Sequence, residues 1–202
     1  FAAGMACAVL VMSACGARSS TDNGPTSRVP SAAADTASPS ELPPEAPADF
    51  TGIQVVDSID GFDRPWDLRF LPDGTPLVTE RPGRLAAVVD GRRSVVANVP
   101  DVVALGEGGL MGLALDPGFA ANRRIYLCYA AGSGGAVRDV RVVRYRLAEG
   151  LDALTNPRPL VTGIPSGAGN RHLGCRLEVG PDGMLWITAG DAVQPTAPQD
   201  PR

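Results

Sequence analysis

The chain has 202 residues, a formal net charge of −4 and a single histidine. The acidic balance, with no run of basic residues, argues against nucleic acid as a partner. Two hundred residues suffice for one domain with a sizeable core, but the composition of the first fifty keeps them out of it.

Residues 2–14 are small and apolar, too short to span a bilayer as a helix, and read as the hydrophobic segment of an export signal. The run ends in Met12-Ser13-Ala14-Cys15, which resembles a bacterial lipobox with Met12 where leucine is usual. It predicts cleavage before Cys15 and lipid attachment to its thiol; an ordinary export signal with an incidental cysteine is the alternative. The chain begins at Phe1 with no initiator methionine or basic stretch, so an earlier start is expected. Residues 16–49 are rich in Ser, Thr, Pro, Ala and acids without apolar periodicity, which predicts a disordered tether with a reach of about 30 Å. One acyl group anchors weakly and several hold firmly. The organisation expected is a signal and lipobox over 1–15, a tether over 16–49, and an extracytoplasmic, membrane-anchored domain over 50–202.

From residue 51 the texture changes to short β-prone runs broken by glycine and proline. Residues 66–70 read as a strand, followed by the turn Pro72-Asp73-Gly74. Residues 75–80 come next, then Pro82-Gly83, which suits the middle of a type II turn. Residues 85–89 and 93–97 flank Asp90-Gly91, a strong two-residue hairpin signal. The four runs predict an antiparallel meander. The pattern restarts with residues 110–115, the turn Asp116-Pro117-Gly118, and strands over 124–130, 140–147 and 159–162. A third unit opens with 175–179, Pro181-Asp182-Gly183 and 184–189. First strands begin near 66, 110 and 175. Four strands per repeat of about 45 residues is the mark of a β-propeller. A β-sandwich would explain the strands but not the recurring strand, Pro-Asp-Gly-like turn, strand phrase. The fold class expected is therefore all-β, a propeller with about two and a half blades, leaving an open edge after the last strand and implying an incomplete ring.

In a propeller the segments leading into the first strands gather at one mouth of the central channel. Here these are Arg64-Pro65-Trp66-Asp67, Gly106-Glu107-Gly108-Gly109 and Arg171-His172-Leu173-Gly174. His172 lies ten residues before Asp182 and Asp191 nine after, so a hairpin turning there returns Asp191 to His172, on strands about 4.8 Å apart. A lone imidazole is more often structural than catalytic, but one beside an orienting carboxylate suits proton abstraction near pH 7. Asp191 also reads as a turn residue after Gly190, Glu107 as a solvated loop acid, Glu80-Arg81 as a strand-end ion pair and Trp66 as core packing. Cys128 and Cys175 are free to pair in an oxidising compartment, but spacing alone leaves that open. No CxxC or His/Cys cluster suggests zinc.

Four phrases in order carry a resemblance: Pro65-Trp66-Asp67 with Phe70-Leu71-Pro72-Asp73-Gly74; Val78-Thr79-Glu80-Arg81-Pro82-Gly83-Arg84; Gly106-Glu107-Gly108-Gly109-Leu110-Met111-Gly112-Leu113-Ala114-Leu115-Asp116-Pro117; and His172 with Gly180-Pro181-Asp182-Gly183 and Gly190-Asp191. Over residues 52–202 the chain resembles the glucose/sorbosone dehydrogenase family, soluble aldose dehydrogenases using pyrroloquinoline quinone (PQQ) on a six-bladed propeller. The resemblance implies oxidation of an aldose sugar at C1 to the lactone, with hydride passing to the quinone and an external electron acceptor reoxidising it. It implies His172 as general base, Asp191 as the carboxylate assisting it, and Glu107 near quinone and substrate, where glutamine stands in well-known members. Cys175 stands where glycine is common, and Arg171 where an acid can occur. The calcium ligands and most contacts to the quinone carboxylates are implied to lie in later blades, so no metal ligand is assigned and the fragment alone is expected to be inactive. Two other classes stand beside this one: a non-catalytic propeller lipoprotein serving as a binding or scaffold module, and a lactonase-like hydrolase needing channel carboxylates and asparagines, for which Glu107 is the single candidate.

Overall fold

A computed structural model describes residues 7–11, 58–194 and 196. Cys15 and the segment 16–49 lie outside the described residues, as does most of 1–14. Among the described residues, 7–11, 59–194 and 196 group in one compact unit, which holds every element described below.

The elements in chain order are β1 (Cys7–Val11), β2 (Pro65–Phe70), β3 (Pro76–Glu80), β4 (Arg84–Val89), β5 (Arg92–Asn98), β6 (Leu110–Leu115), α1 (Phe119–Asn122), β7 (Arg124–Ser133), β8 (Ala136–Leu147), β9 (Leu154–Ile164), β10 (Gly174–Val179) and β11 (Leu185–Ala189). They form three sheets, ordered β2-β3-β4-β5, β6-β7-β8-β9 and β1-β11-β10. The first two are four-stranded antiparallel blades; in the third, β10 and β11 form a hairpin and β1 runs parallel to β11. The chain is an all-β, partial β-propeller, as the repeat spacing predicts.

Turn chemistry sets the first blade. Asp73 accepts the Thr75 N–H at 2.9 Å and Gly74 takes a positive φ. Val89 pairs with Arg92 across Asp90-Gly91, both at positive φ, the arrangement that matches strand twist in a two-residue hairpin. The Pro82-Gly83 turn differs from the type II expectation. Its bond runs from Gly83 N–H to Glu80 O at 2.9 Å, one residue earlier. Glu80 pairs with Arg84, leaving a three-residue loop that closes this way, with Gly83 as the positive-φ residue.

The second blade is longer than its sequence pattern suggests. β7 and β8 continue to the Gly134-Gly135 turn, where Ser133 pairs with Ala136, and β9 begins at Leu154. The turn after β6 becomes the single-turn helix α1. Asp116 organises it, accepting from Gly118 N–H at 2.9 Å and Asn122 Nδ2 at 2.8 Å while also receiving the Tyr126 hydroxyl.

β7 is buried on both faces. Ile125, Leu127, Tyr129 and Ala131 pack with Leu77, Leu85, Val96 and Leu113 in a core between the first and second blades. Tyr126, Cys128 and Ala130 pack with Met111, Leu177, Leu185 and Ile187 in a core between the second and third. Period-two alternation sends successive side chains to opposite faces, so a strand with two buried faces reads as a continuous apolar run. A disulfide joins Cys128 of β7 to Cys175 of β10, with Cα atoms 6.3 Å apart. The first strands are tied by polar side chains as well. Asp67 Oδ2 accepts the Leu113 N–H at 2.9 Å, and Arg69 donates to Leu113 O at 2.9 Å and Leu177 O at 2.8 Å.

Candidate active site

Three loops meet beside the start of β10. Residues 105–109 lead into β6, residues 169–173 lead into β10, and residues 190–193 follow β11. Beyond the β10–β11 ladder the two strand ends stay in contact: Gly190 N–H donates to Leu173 O at 3.3 Å and Ala192 N–H to His172 O at 3.2 Å. The pairing therefore extends to His172 and carries Asp191 alongside it. A Cβ at Gly190 would lie 1.9 Å from His172 O, so glycine is what permits this approach.

His172 Nδ1 lies 2.8 Å from Asp191 Oδ1. A carboxylate only accepts, so the neutral ring carries its proton on Nδ1 and leaves the Nε2 lone pair open. Nε2 has no hydrogen-bond partner among the described residues. The imidazole is half exposed, at 48% of its side-chain surface, so that lone pair is accessible. Asp191 Oδ1 also accepts the Val193 N–H at 2.9 Å. The bond to His172, and then that from Val193, hold the Asp191 carboxyl below its ordinary value. It is the ionised partner at neutral pH.

The backbone of His172 is anchored too. Its φ is 54°, in the left-handed region, which non-glycine residues enter only with support from their surroundings. Glu107 gives that support: Oε2 accepts the His172 N–H at 2.6 Å, while the Glu107 N–H donates to Asn170 O at 2.9 Å. Glu107 Oε1 lies 4.0 Å from Arg171 Nε, both side chains exposed. His172, Asp191 and Glu107 thus stand together where these three loops meet.

Trp66 and the Glu80-Arg81 pair depart from what the sequence predicts. Trp66 is 45% exposed rather than core; with Asp67, Gly174, Cys175, Arg176 and Thr188 it lines a cavity of about 270 Å³. Neither His172 nor Asp191 lines that cavity. Glu80 and Arg81 do not pair. Glu80 is fully buried and is held by Arg93 (2.5 and 2.9 Å), Arg84 (2.8 Å) and the Asp63 N–H (2.7 Å). Burial works to raise its carboxyl, but the two guanidinium groups prevail and lower it. Glu80 ends β3 with its side chain in the interior, whereas Arg81 opens the three-residue loop and turns to the loop of Glu107. Nothing in the sequence signals that partner. Among the described residues no group of three metal-ligating side chains gathers.

An all-β partial propeller with an exposed, carboxylate-oriented histidine where three loops meet matches a known class. The family model for glucose / sorbosone dehydrogenase matches residues 62–202, and the chain belongs to that family. It is 35% identical over 144 residues to aldose sugar dehydrogenase YliI of Escherichia coli K12, covering 70% of this chain and 39% of that protein. Among solved structures it resembles the PQQ-bound aldose sugar dehydrogenase of Streptomyces coelicolor, at 33% identity and a TM-score of 0.63 over 70% of this chain and 42% of that one. It also resembles the soluble aldose sugar dehydrogenase of Escherichia coli in its apo-form, at 38% identity and a TM-score of 0.59 over 67% and 40%. The chain spans about two fifths of the length of these relatives.

Proposed function

We propose that this chain supplies the proton-accepting wall of a PQQ-dependent aldose sugar dehydrogenase, in an exported protein tethered through lipid on Cys15. The observation that carries this reading is the 2.8 Å His172–Asp191 bond, which leaves Nε2 free in a family whose relatives include a PQQ-bound aldose sugar dehydrogenase. The residues present fit one side of such a site. The imidazole is accessible, and the negative charge of Glu107 is taken up by the His172 N–H and the nearby Arg171. Bound quinone would serve as acceptor for the hydride leaving C1 of the sugar. In this reading His172 Nε2 takes the proton of the C1 hydroxyl as the aldose becomes a lactone. Asp191 keeps Nδ1 protonated and stabilises the imidazolium that forms. Glu107 fixes the His172 backbone and would be the residue of this chain that helps hold the quinone. Calcium ligands and most contacts to the quinone carboxylates would come from other blades, and turnover is expected only when those blades are supplied.

Calorimetric titration of PQQ with calcium into the protein carrying all its blades tests the reading, with His172→Ala alongside. Both proteins are expected to bind quinone, while aldose-dependent dye reduction falls about 10²–10⁴-fold in the variant, the usual worth of a positioned base. Failure of the parent protein to bind PQQ would remove the quinoprotein reading and leave a propeller that recognises a partner.

A further inference from the structure

Arg81 directly follows β3 in the first blade, remote in sequence from His172, yet its guanidinium is spent on the loop that holds His172. Nε donates to Gly108 O at 2.8 Å and Nη2 donates to Gly106 O, so the fork brackets Glu107 from both sides. The Arg81 carbonyl in turn accepts the Leu110 N–H at 3.0 Å. No carboxylate pairs with Arg81 among the described residues. The loop has no slack on either flank. A Cβ at Gly109 would lie 2.3 Å from Arg81 O, and one at Gly106 would lie 2.4 Å from Gly169 O and 2.6 Å from Asn170 O. The loop is thus wedged between Arg81 and the segment leading to His172, and Glu107 closes the series at 2.6 Å on the His172 N–H.

We propose that Arg81 is a positioning residue for His172. It fixes loop 106–109 so that the Glu107 carboxylate stays on the His172 amide and holds that residue in the left-handed conformation from which its ring meets Asp191. Significance for catalysis rests on His172 being the base, but the mechanical claim does not. A planar fork with fixed donor geometry suits two carbonyls two residues apart; the single ammonium of lysine does not reproduce it.

Because His172 is the sole histidine, ¹⁵N-histidine labelling of the full chain gives one amide and one imidazole to follow by NMR, with no cofactor needed. Arg81→Ala is expected to speed exchange of the His172 amide at least about 10-fold and to weaken the Nδ1–H signal, with Leu127 and Val142 amides unchanged on uniformly labelled protein. Arg81→Lys should fall between. Glu107→Gln, which keeps an acceptor but loses the charge, should shift the His172 amide in the same direction; it serves as the test should Arg81→Ala fail to fold. An unchanged His172 amide in these variants, or equal loss of protection at Leu127 and Val142, would overturn the proposal. In the quinone-loaded protein with all blades, Arg81→Ala should lower kcat with little change in KM. Absent turnover in the parent would count against the dehydrogenase reading alone, since the amide result stands apart from it.

Discussion

His172 is held at three points: its N–H by Glu107, its carbonyl by Ala192 and its ring by Asp191. A side chain fixed in this way has little orientation left to lose in the proton transfer proposed for Nε2. Replacing Asp191 with asparagine allows the amide to donate to Nδ1 and so to favour the wrong tautomer. In the quinone-loaded protein Asp191→Asn is expected to lower kcat by about 10²-fold or more, measured by dye reduction. The same bond sets a pH dependence for folding. Contact with His172, then the Val193 N–H, places the Asp191 carboxyl below its ordinary value of 3.8. A carboxyl depressed in the folded state favours folding above its unfolded value, and that contribution disappears as pH falls through the folded value. Thermal midpoints should therefore fall more steeply in the parent than in Asp191→Asn as pH is taken below 3.8, and parallel curves would count against the pair.

At the level of elements, the β10–β11 hairpin delivers the site. Its Asp182 turn, with Met184 N–H on Asp182 Oδ1 at 2.9 Å, sets which residues face one another. Gly190→Ala would drive a methyl into His172 O. It is expected to cost about 1–3 kcal/mol in urea unfolding and, under the proposed function, to cut turnover at least tenfold, because displacing a base by a small distance is expensive. This hairpin was legible in the sequence: Pro181-Asp182-Gly183 marked its turn, and spacing alone paired His172 with Asp191. Asp90-Gly91 was equally plain. Less legible were β7 and β8 near Gly134-Gly135, where Ala131-Gly132-Ser133 breaks the apolar pattern although the ladder continues through it. The helix α1 escaped because one turn carries no periodicity. The exposure of Trp66 is not legible in the sequence, because bulk and apolarity do not say which side of a strand is left uncovered. Arg81 was invisible as a clamp because its acceptors are backbone carbonyls, which carry no residue signature.

For the molecule as a whole, the Cys128–Cys175 disulfide ties the second blade to the strand that begins just after His172. Across a separation of 47 residues, a cross-link is worth about 4 kcal/mol by chain entropy. Cys128→Ser with Cys175→Ser is expected to lower stability by about 2–4 kcal/mol in denaturant titration, and a midpoint identical to the parent's would show the link to be dispensable. β7 has a wider consequence, since its alternate residues belong to two cores. Leu127→Ala touches only the core shared with the first blade and should cost about 3–5 kcal/mol. Yet the loss should not be confined to that side, because an unwinding β7 strips Cys128 and Ala130 from the other core as well. A strand owned jointly by two interiors makes their meltings one event. Calorimetry of this chain should then record a single endotherm whose van't Hoff and calorimetric enthalpies agree, and the blades, modular in sequence, would be indivisible in heat.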